Sequence, residues 1–239
     1  MASSILKIPL IFASAALHHK AFTSPNPAPM TKRNYHGWVE KTLFRSIAFV
    51  TIGQKAMVWF LGMAETAVCL ATRYPEWPYS KMILDYLMFG SDPNRIRLLT
   101  RPFLVGTGLM ITGGLLRWQC YRVLGKMFTY EVSVQSNHKL VTTGPYRVVR
   151  HPAYTGVWMI IAGMFVWNCS PGSWVVESGV MRTISGKIAA VVCASWLLTL
   201  GTGGTIRAKT EDGILSEEFG EQWREWAKRV PYTLFPFIY

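Results

Sequence analysis

Two short stretches of this 239-residue chain hold residues whose types and spacing suit ligand chemistry. The first runs Gln135-Ser136-Asn137-His138-Lys139-Leu140-Val141-Thr142-Thr143-Gly144-Pro145-Tyr146-Arg147-Val148-Val149-Arg150-His151-Pro152-Ala153-Tyr154-Thr155-Gly156. It is polar, turns at Gly144-Pro145, and then enters an apolar block directly. Pro152 fits the first turn of a helix, where its missing N–H costs nothing, which puts His151 near the cap. Free N–H groups at such a helix start, with the macrodipole, suit a carboxylate or another electron-rich group. Tyr146, His151 and Tyr154 fall within nine positions. Their rings could wall a flat adenine and attract a sulfonium through their π faces. Taken singly, each is as well explained by the aromatic belt of a membrane protein. The ordered series with its Gly-Pro turn is not.

The second stretch holds Arg207 and Glu211, four apart and so neighbours on one helix face. An ordinary surface pair of that spacing is worth about 0.3–0.5 kcal/mol. This one follows the last apolar block immediately, at the depth where the first stretch begins, which argues for a functional role. Asp212, Glu217, Glu218, Glu221 and Glu225 read as a solvated face. Leu215, Phe219, Trp223, Trp226 and Val230 recur at spacings of three and four, which predicts an amphipathic helix at a membrane interface.

The elements that must position these residues are apolar. Half of the chain is hydrophobic and only 16% is charged, against about 25% in a soluble domain. Five apolar blocks run approximately over 5–17, 43–71, 102–124, 154–169 and 184–205. A spanning helix needs roughly 20 apolar residues, so the expected fold is an all-α, multi-pass membrane bundle of about five spans with a cytosolic C-terminal amphipathic helix. The first block is read as an uncleaved span, the alternative being a secretory signal peptide. The Pro-rich run from Ser24 to Pro29 is a stiff connector. Residues 1–134 are expected to supply spans and substrate access, and residues 135–239 the catalytic region.

The net charge of +12 does not point to nucleic acid, because the basic residues cluster between apolar blocks. Such residues fix topology and attract anionic headgroups. The bias of the 17–44 connector, the 117–150 stretch and the tail over the other loops puts both candidate stretches on one cytosolic side. Gly106, Gly108, Gly113 and Gly114, and Gly201, Gly203 and Gly204, permit close helix packing. Cys69, Cys120, Cys169 and Cys193 read as small apolar core residues, with no metal site and no disulfide framework. Lys55 and Glu65 lie inside the second block, where charges are expensive and often functional. His18, His19 and His36 have no evident partner in the sequence.

His138-Lys139-Leu140-Val141, Gly144-Pro145-Tyr146 and Arg150-His151-Pro152-Ala153-Tyr154-Thr155-Gly156 closely resemble the signature of the isoprenylcysteine carboxyl methyltransferase (protein-S-isoprenylcysteine O-methyltransferase) family. Arg207 with Glu211, Phe219-Gly220 and Arg229-Val230-Pro231 resemble its C-terminal signature. Several motifs in order at the expected separations make the match, from about Gln135 onward, a specific one. The resemblance implies an S-adenosylmethionine site formed by Gln135, His138, Lys139, Leu140, Val141, Tyr146, His151, Pro152, Ala153, Tyr154 and Glu211. It implies that Arg207 contacts a prenylated protein or prenylcysteine, that Arg207 and Glu211 serve catalysis, and that the chain resides in the endoplasmic reticulum membrane. The chain departs from the pattern at Asp212, where a second Glu is usual, in the Gly-rich run before Arg207, and in a shorter N-terminal half.

A prenylcysteine carboxylate, with a pKa near 3.3–3.7, is already a nucleophile at neutral pH. Its methylation is a task of positioning and electrostatics. Arg207 would grip one carboxylate oxygen while Glu211 bonds the cofactor and steadies Arg207. One rival is phospholipid N-methylation, which needs proton removal from an amine and sets Arg207 beside a cation. A sterol-reductase-like NADPH enzyme needs a cationic cluster for the 2′-phosphate beyond Arg147 and Arg150. A membrane scaffold leaves the ordered motifs unexplained.

Overall fold

Every apolar block of the sequence is the body of a helix. The computed structural model describes residues 3–26, 38–97, 99–128 and 139–238, without side chains for 3–5, 38–48 and 97. The connector from Pro27, His36 and the expected ligand residues Gln135 and His138 lie outside the described residues. The long helices are α1 (Ser3–Ala21), α2 (Trp38–Arg73), α4 (Arg101–Leu124), α5 (Pro152–Asn168) and α7 (Ile184–Phe219). Short α3 (Ser80–Leu87), α6 (Trp174–Glu177) and α8 (Glu221–Arg229) join or follow them. The described residues form no strand, so the fold is all-helical. Two stretches, Phe49–Arg73 of α2 and the whole of α7, are long and apolar enough to cross a membrane. Their outward side chains, among them Phe49, Ile52, Ile184, Val191 and Ile206, are exposed and apolar.

Local chemistry sets the helix ends. The hydroxyls of Thr100 and Thr183 accept from the N–H of Phe103 and Gly186 and start α4 and α7. Gly220, at φ +52°, ends α7 and separates it from α8. The predicted amphipathic helix from Leu215 to Val230 is therefore two helices with a break. Trp226 and Val230 are buried against Tyr146 and Cys120, so much of that apolar face covers the protein itself rather than lipid.

Glycines decide how closely α4 and α5 approach. A β-carbon on Gly106 would sit 2.8 Å from the Gly163 carbonyl oxygen, and one on Gly113 2.7 Å from that of Gly156. Both pairs join the two helices antiparallel, backbone to backbone. Gly114 receives Leu17 of α1 in the same way, whereas Gly108 faces open space. The core between these helices holds Ile11, Val58, Phe103, Met110, Ile160 and Trp167.

The bundle has two ends. Lys7–Glu65, Ile11–Gly62 and His19–Trp59 pair α1 antiparallel with α2. Ala21 of α1 and Ala153 of α5 both give their carbonyls to Arg117 of α4. The C-terminal end of α1 and the N-terminal end of α5 therefore lie together. Two cations that the topology reading counted as loop charges are buried. Arg117 also donates to the Tyr121 hydroxyl, and Lys7 pairs with Glu65 at 2.5 Å. Glu65 also accepts from Trp167 Nε1 and Trp174 N–H, and Lys7 donates to the carbonyls of Ile96 and Gly172. Glu65 is thus a staple between α1 and α2, with no opening toward a substrate path. Lys55 donates to the Thr23 hydroxyl. No disulfide joins the four cysteines; Cys69 and Cys120 are core residues as expected, but Cys169 is exposed.

Candidate functional site

The first turn of α5 and the seventh and eighth turns of α7 meet at the end of the bundle that holds Arg117. Pro152 occupies the first turn of α5 and His151 its N-cap, as its sequence predicts. The N–H groups of Tyr154 and Thr155 turn back onto the His151 carbonyl, so they are not available to a ligand as expected. Negative charge comes instead from α7, whose Glu211 and Asp212 face this positive end of the α5 dipole.

Small residues on α7 make that approach feasible. A β-carbon on Gly201 would meet the Trp158 ring at 2.9 Å, and one on Gly204 would meet the Tyr154 ring at 3.0 Å. The antiparallel contact carries on one to two turns further to Glu211. Its Oε1 accepts from the Tyr154 hydroxyl at 2.7 Å and from Arg207 Nε at 2.8 Å. Its Oε2 lies 3.5 Å from His151 Nδ1. Arg207 and Glu211 are therefore an i, i+4 pair, as expected, built into a larger network.

Asp212 is part of that network, which overturns its assignment to a solvated face. Its Oδ1 lies 2.9 Å from His151 Nε2 and its Oδ2 accepts from Arg150 Nε at 3.0 Å. One acid after the other on α7 thus engages one nitrogen each of the same imidazole. Burial disfavours charge on the His151 ring, but the hydrogen bonds to Asp212 and Glu211 outweigh it and hold its pKa up at about 9. At neutral pH this makes His151 an imidazolium, hydrogen-bonded through Nε2 to Asp212 and ion-paired through Nδ1 with Glu211.

Arg150 and the C-terminal segment clamp the arrangement. Arg150 donates from Nη1 to the carbonyls of Val230 and Pro231 and from Nη2 to the Thr233 hydroxyl. The N–H groups of Arg150 and His151 donate to the carbonyls of Tyr232 and Thr233. The Thr155 hydroxyl donates to the Leu234 carbonyl. Sequence reasoning quoted Arg150 in its motif but gave it no role, and missed Asp212 and Thr233. Two signals marked Asp212: its adjacency to Glu211, and its place where the resembled family usually carries a second Glu.

Beside the charged network lies an apolar cluster. Tyr146 and Cys120 are buried with Trp226 and Val230, and Leu140, Val141, Ala153 and Trp223 pack onto them. The 3-10 turn Gly144–Arg147 presents Tyr146 to this cluster, and its carbonyl accepts from Trp226 Nε1. Among the described residues the buried Trp223 Nε1–H has no hydrogen-bond partner. The structure thus gathers Leu140, Val141, Tyr146, Ala153, His151, Tyr154, Arg207 and Glu211 at one end, with Pro152 supporting them; Lys139 is exposed beside Leu140. Among the described residues no group of His, Cys, Asp and Glu side chains could hold a metal ion.

Residues 102–221, half of the chain, match the pattern of the phospholipid methyltransferase family. The chain belongs to the phospholipid methyltransferase family. The matched residues of this family member include the charged network from Arg150 to Asp212. Its curated relatives carry a more specific name. Protein-S-isoprenylcysteine O-methyltransferase B of Arabidopsis thaliana is 31% identical over 135 residues, which are 56% of this chain and 58% of the relative. The Homo sapiens protein-S-isoprenylcysteine O-methyltransferase is 29% identical over 146 residues, 60% of this chain and 44% of its own length. That of Schizosaccharomyces pombe is 28% identical over 126 residues, 52% of this chain and 45% of its own. The chain of this phospholipid methyltransferase family member thus spans about half the length of these relatives. Their names agree with the resemblance carried by the motifs.

Proposed function

We propose that this chain is a membrane methyltransferase that esterifies the C-terminal carboxylate of a prenylated cysteine with S-adenosylmethionine as donor. The observation that carries the reading is the junction at Glu211. There an arginine suited to a carboxylate and a ring cluster suited to an adenine share one acid. The names of the relatives supply the substrate class.

The residues present fit that cofactor. Trp223 Nε1–H, without a partner among the described residues, stands in the same cluster as Leu140, Val141, Tyr146 and Ala153, an apolar wall with a buried donor. Glu211, with the Tyr154 ring beside it, offers negative charge and a π face to a sulfonium. Bound there, S-adenosylmethionine supplies an electrophilic methyl group. Leu140, Val141, Tyr146, Ala153, His151 and Glu211 would hold it, together with Gln135, His138, Lys139, Pro152 and Tyr154. Arg207 would bind one oxygen of the acceptor carboxylate and leave the other free to attack, so no general base is needed. Glu211 fixes the guanidinium through Nε, which leaves its Nη groups to face the acceptor. Arg150 and Asp212 orient His151 and so preorganise the charges.

The five long helices would all span the bilayer, with this end facing the cytosol of the endoplasmic reticulum. Residues 1–134 would shape the path of the lipid tail, and residues 135–239 the catalytic region. An amine acceptor fits less well, because Arg207 and the His151 imidazolium would both stand near its positive charge. Membranes holding the chain, given labelled S-adenosylmethionine, decide the matter. Farnesylcysteine analogue should yield base-labile methanol, and phosphatidylethanolamine no labelled lipid. Label in the phospholipid alone would refute the reading.

A further inference from the structure

A groove of about 540 Å³ opens between α1 and α2, lined by Ala16, His19, Lys20, Thr23 and Trp59. It lies toward the end of the bundle that carries the His151–Glu211 network, because Ala21 beside it bonds Arg117 and Arg117 bonds Ala153. Its polar groups are held in place by one another. Trp59 Nε1 donates to His19 Nδ1 at 3.3 Å, and the Thr23 hydroxyl donates to the His19 carbonyl at 2.7 Å. Lys55, one turn from Trp59, donates to the Thr23 hydroxyl at 2.9 Å. Because Nδ1 of His19 accepts, its proton sits on Nε2, which remains a donor. Lys55 keeps two further N–H groups, and Lys20 is exposed at the rim. Among the described residues no carboxylate pairs with His19, Lys20 or Lys55.

We propose that this groove binds the phosphodiester of an anionic membrane lipid. Lys55 belongs to the apolar stretch Phe49–Arg73, where a lysine must find an anion or reach the headgroup layer. Here it bonds Thr23 on the wall of a groove also lined by His19 and Lys20, a set of donors suited to a phosphate with several acceptor oxygens. Basic pockets between spanning helices take anionic headgroups in this way. Phe12 packs edge-on against Trp59 at 6.0 Å between ring centres, which gives the acyl chains an apolar rim. The site rests on the membrane-spanning part of the proposed function and is independent of the methyl-transfer chemistry.

Native mass spectrometry of the full chain in detergent, titrated with lipid, tests the proposal. Phosphatidylglycerol should bind at least about tenfold tighter than phosphatidylcholine. Lys20→Gln and Lys55→Gln should each weaken it about fivefold, the worth of one lysine against an anionic lipid. Lys228→Gln, on α8 outside the groove, should change it less than about twofold. Excess inorganic phosphate should leave the lipid bound. Equal affinity for the two lipids, indifference to both groove lysines, or displacement by inorganic phosphate would overturn the site. A chain that stays monodisperse in water without detergent would instead refute the membrane reading beneath it.

Discussion

The two ends of the bundle each hold a cluster of charged residues, and they are built on opposite plans. At the end away from the candidate site, Lys7 and Glu65 are 0% and 1% exposed. Their remaining bonds go to the carbonyls of Ile96 and Gly172, the Trp174 N–H and the Trp167 ring. Backbone partners cannot leave without moving a helix, so this cluster is sealed. At the other end, Arg150, His151, Arg207, Glu211 and Asp212 bond mainly side chain to side chain, and Glu211 keeps 24% of its surface exposed. Such groups can exchange partners with a ligand. Similar residue types thus make a staple where they are closed by backbone and a candidate site where they are left open.

Removing one partner should have its largest effect at the sealed end. Glu65→Ala leaves a buried, unpaired lysine and should destabilise the fold by about 3–5 kcal/mol, read as a fall in thermal unfolding midpoint in detergent. Replacing both, Lys7→Met with Glu65→Leu, should restore most of that stability. If Glu65→Ala instead abolished cofactor binding in a fully stable protein, the contrast between the ends would collapse. Glu211→Gln should do the reverse. It should lower kcat/KM for methyl ester formation about 100-fold, or about 2.7 kcal/mol, with a smaller fall in the unfolding midpoint than Glu65→Ala gives.

The open network should also be sensitive to pH. The pKa of His151 is raised from an ordinary 6.5 to about 9. Its contribution to stability is therefore complete below about 6.5 and is lost as pH rises through about 9. Unfolding midpoints measured across that window should fall on the alkaline side, and His151→Gln should flatten the fall. Asp212→Asn should move it to lower pH. An unchanged profile in both variants would show that the network does not hold the proton.

The smallest effects concern the helix that brings the acids to α5. Gly204→Ala presses a methyl group on the Tyr154 ring and should cost about 1 kcal/mol. Gly203→Ala meets nothing within 4 Å and should stabilise by up to about 1 kcal/mol through helix propensity. Equal midpoints for the two would deny that glycine spacing sets the Tyr154–Glu211 contact.

Much of this plan could be read from the sequence, and the misses have physical causes. The long helices were legible because their apolar blocks exceed what a soluble surface tolerates. Arg207 with Glu211 was legible because a spacing of four fixes a shared face whatever the tertiary structure. Asp212 was misread because a run of acids looks like one solvated face, and only the approach of α5 shows that it meets His151 and Arg150. The buried bonds of Lys7 and Arg117 were not legible, because position near a block end does not reveal a carbonyl across the bundle. The break at Gly220 was hidden by a hydrophobic spacing that continues through it.

The central claim is that Arg207 serves the acceptor while its neighbours serve the cofactor. Arg207→Ala separates the two most directly, with S-adenosylhomocysteine binding followed by calorimetry and ester formation by base-labile methanol on the same preparation. The account predicts affinity within about threefold of wild type and methanol release lower by at least about 100-fold. Full ester formation, or loss of cofactor binding in a folded protein, would contradict it.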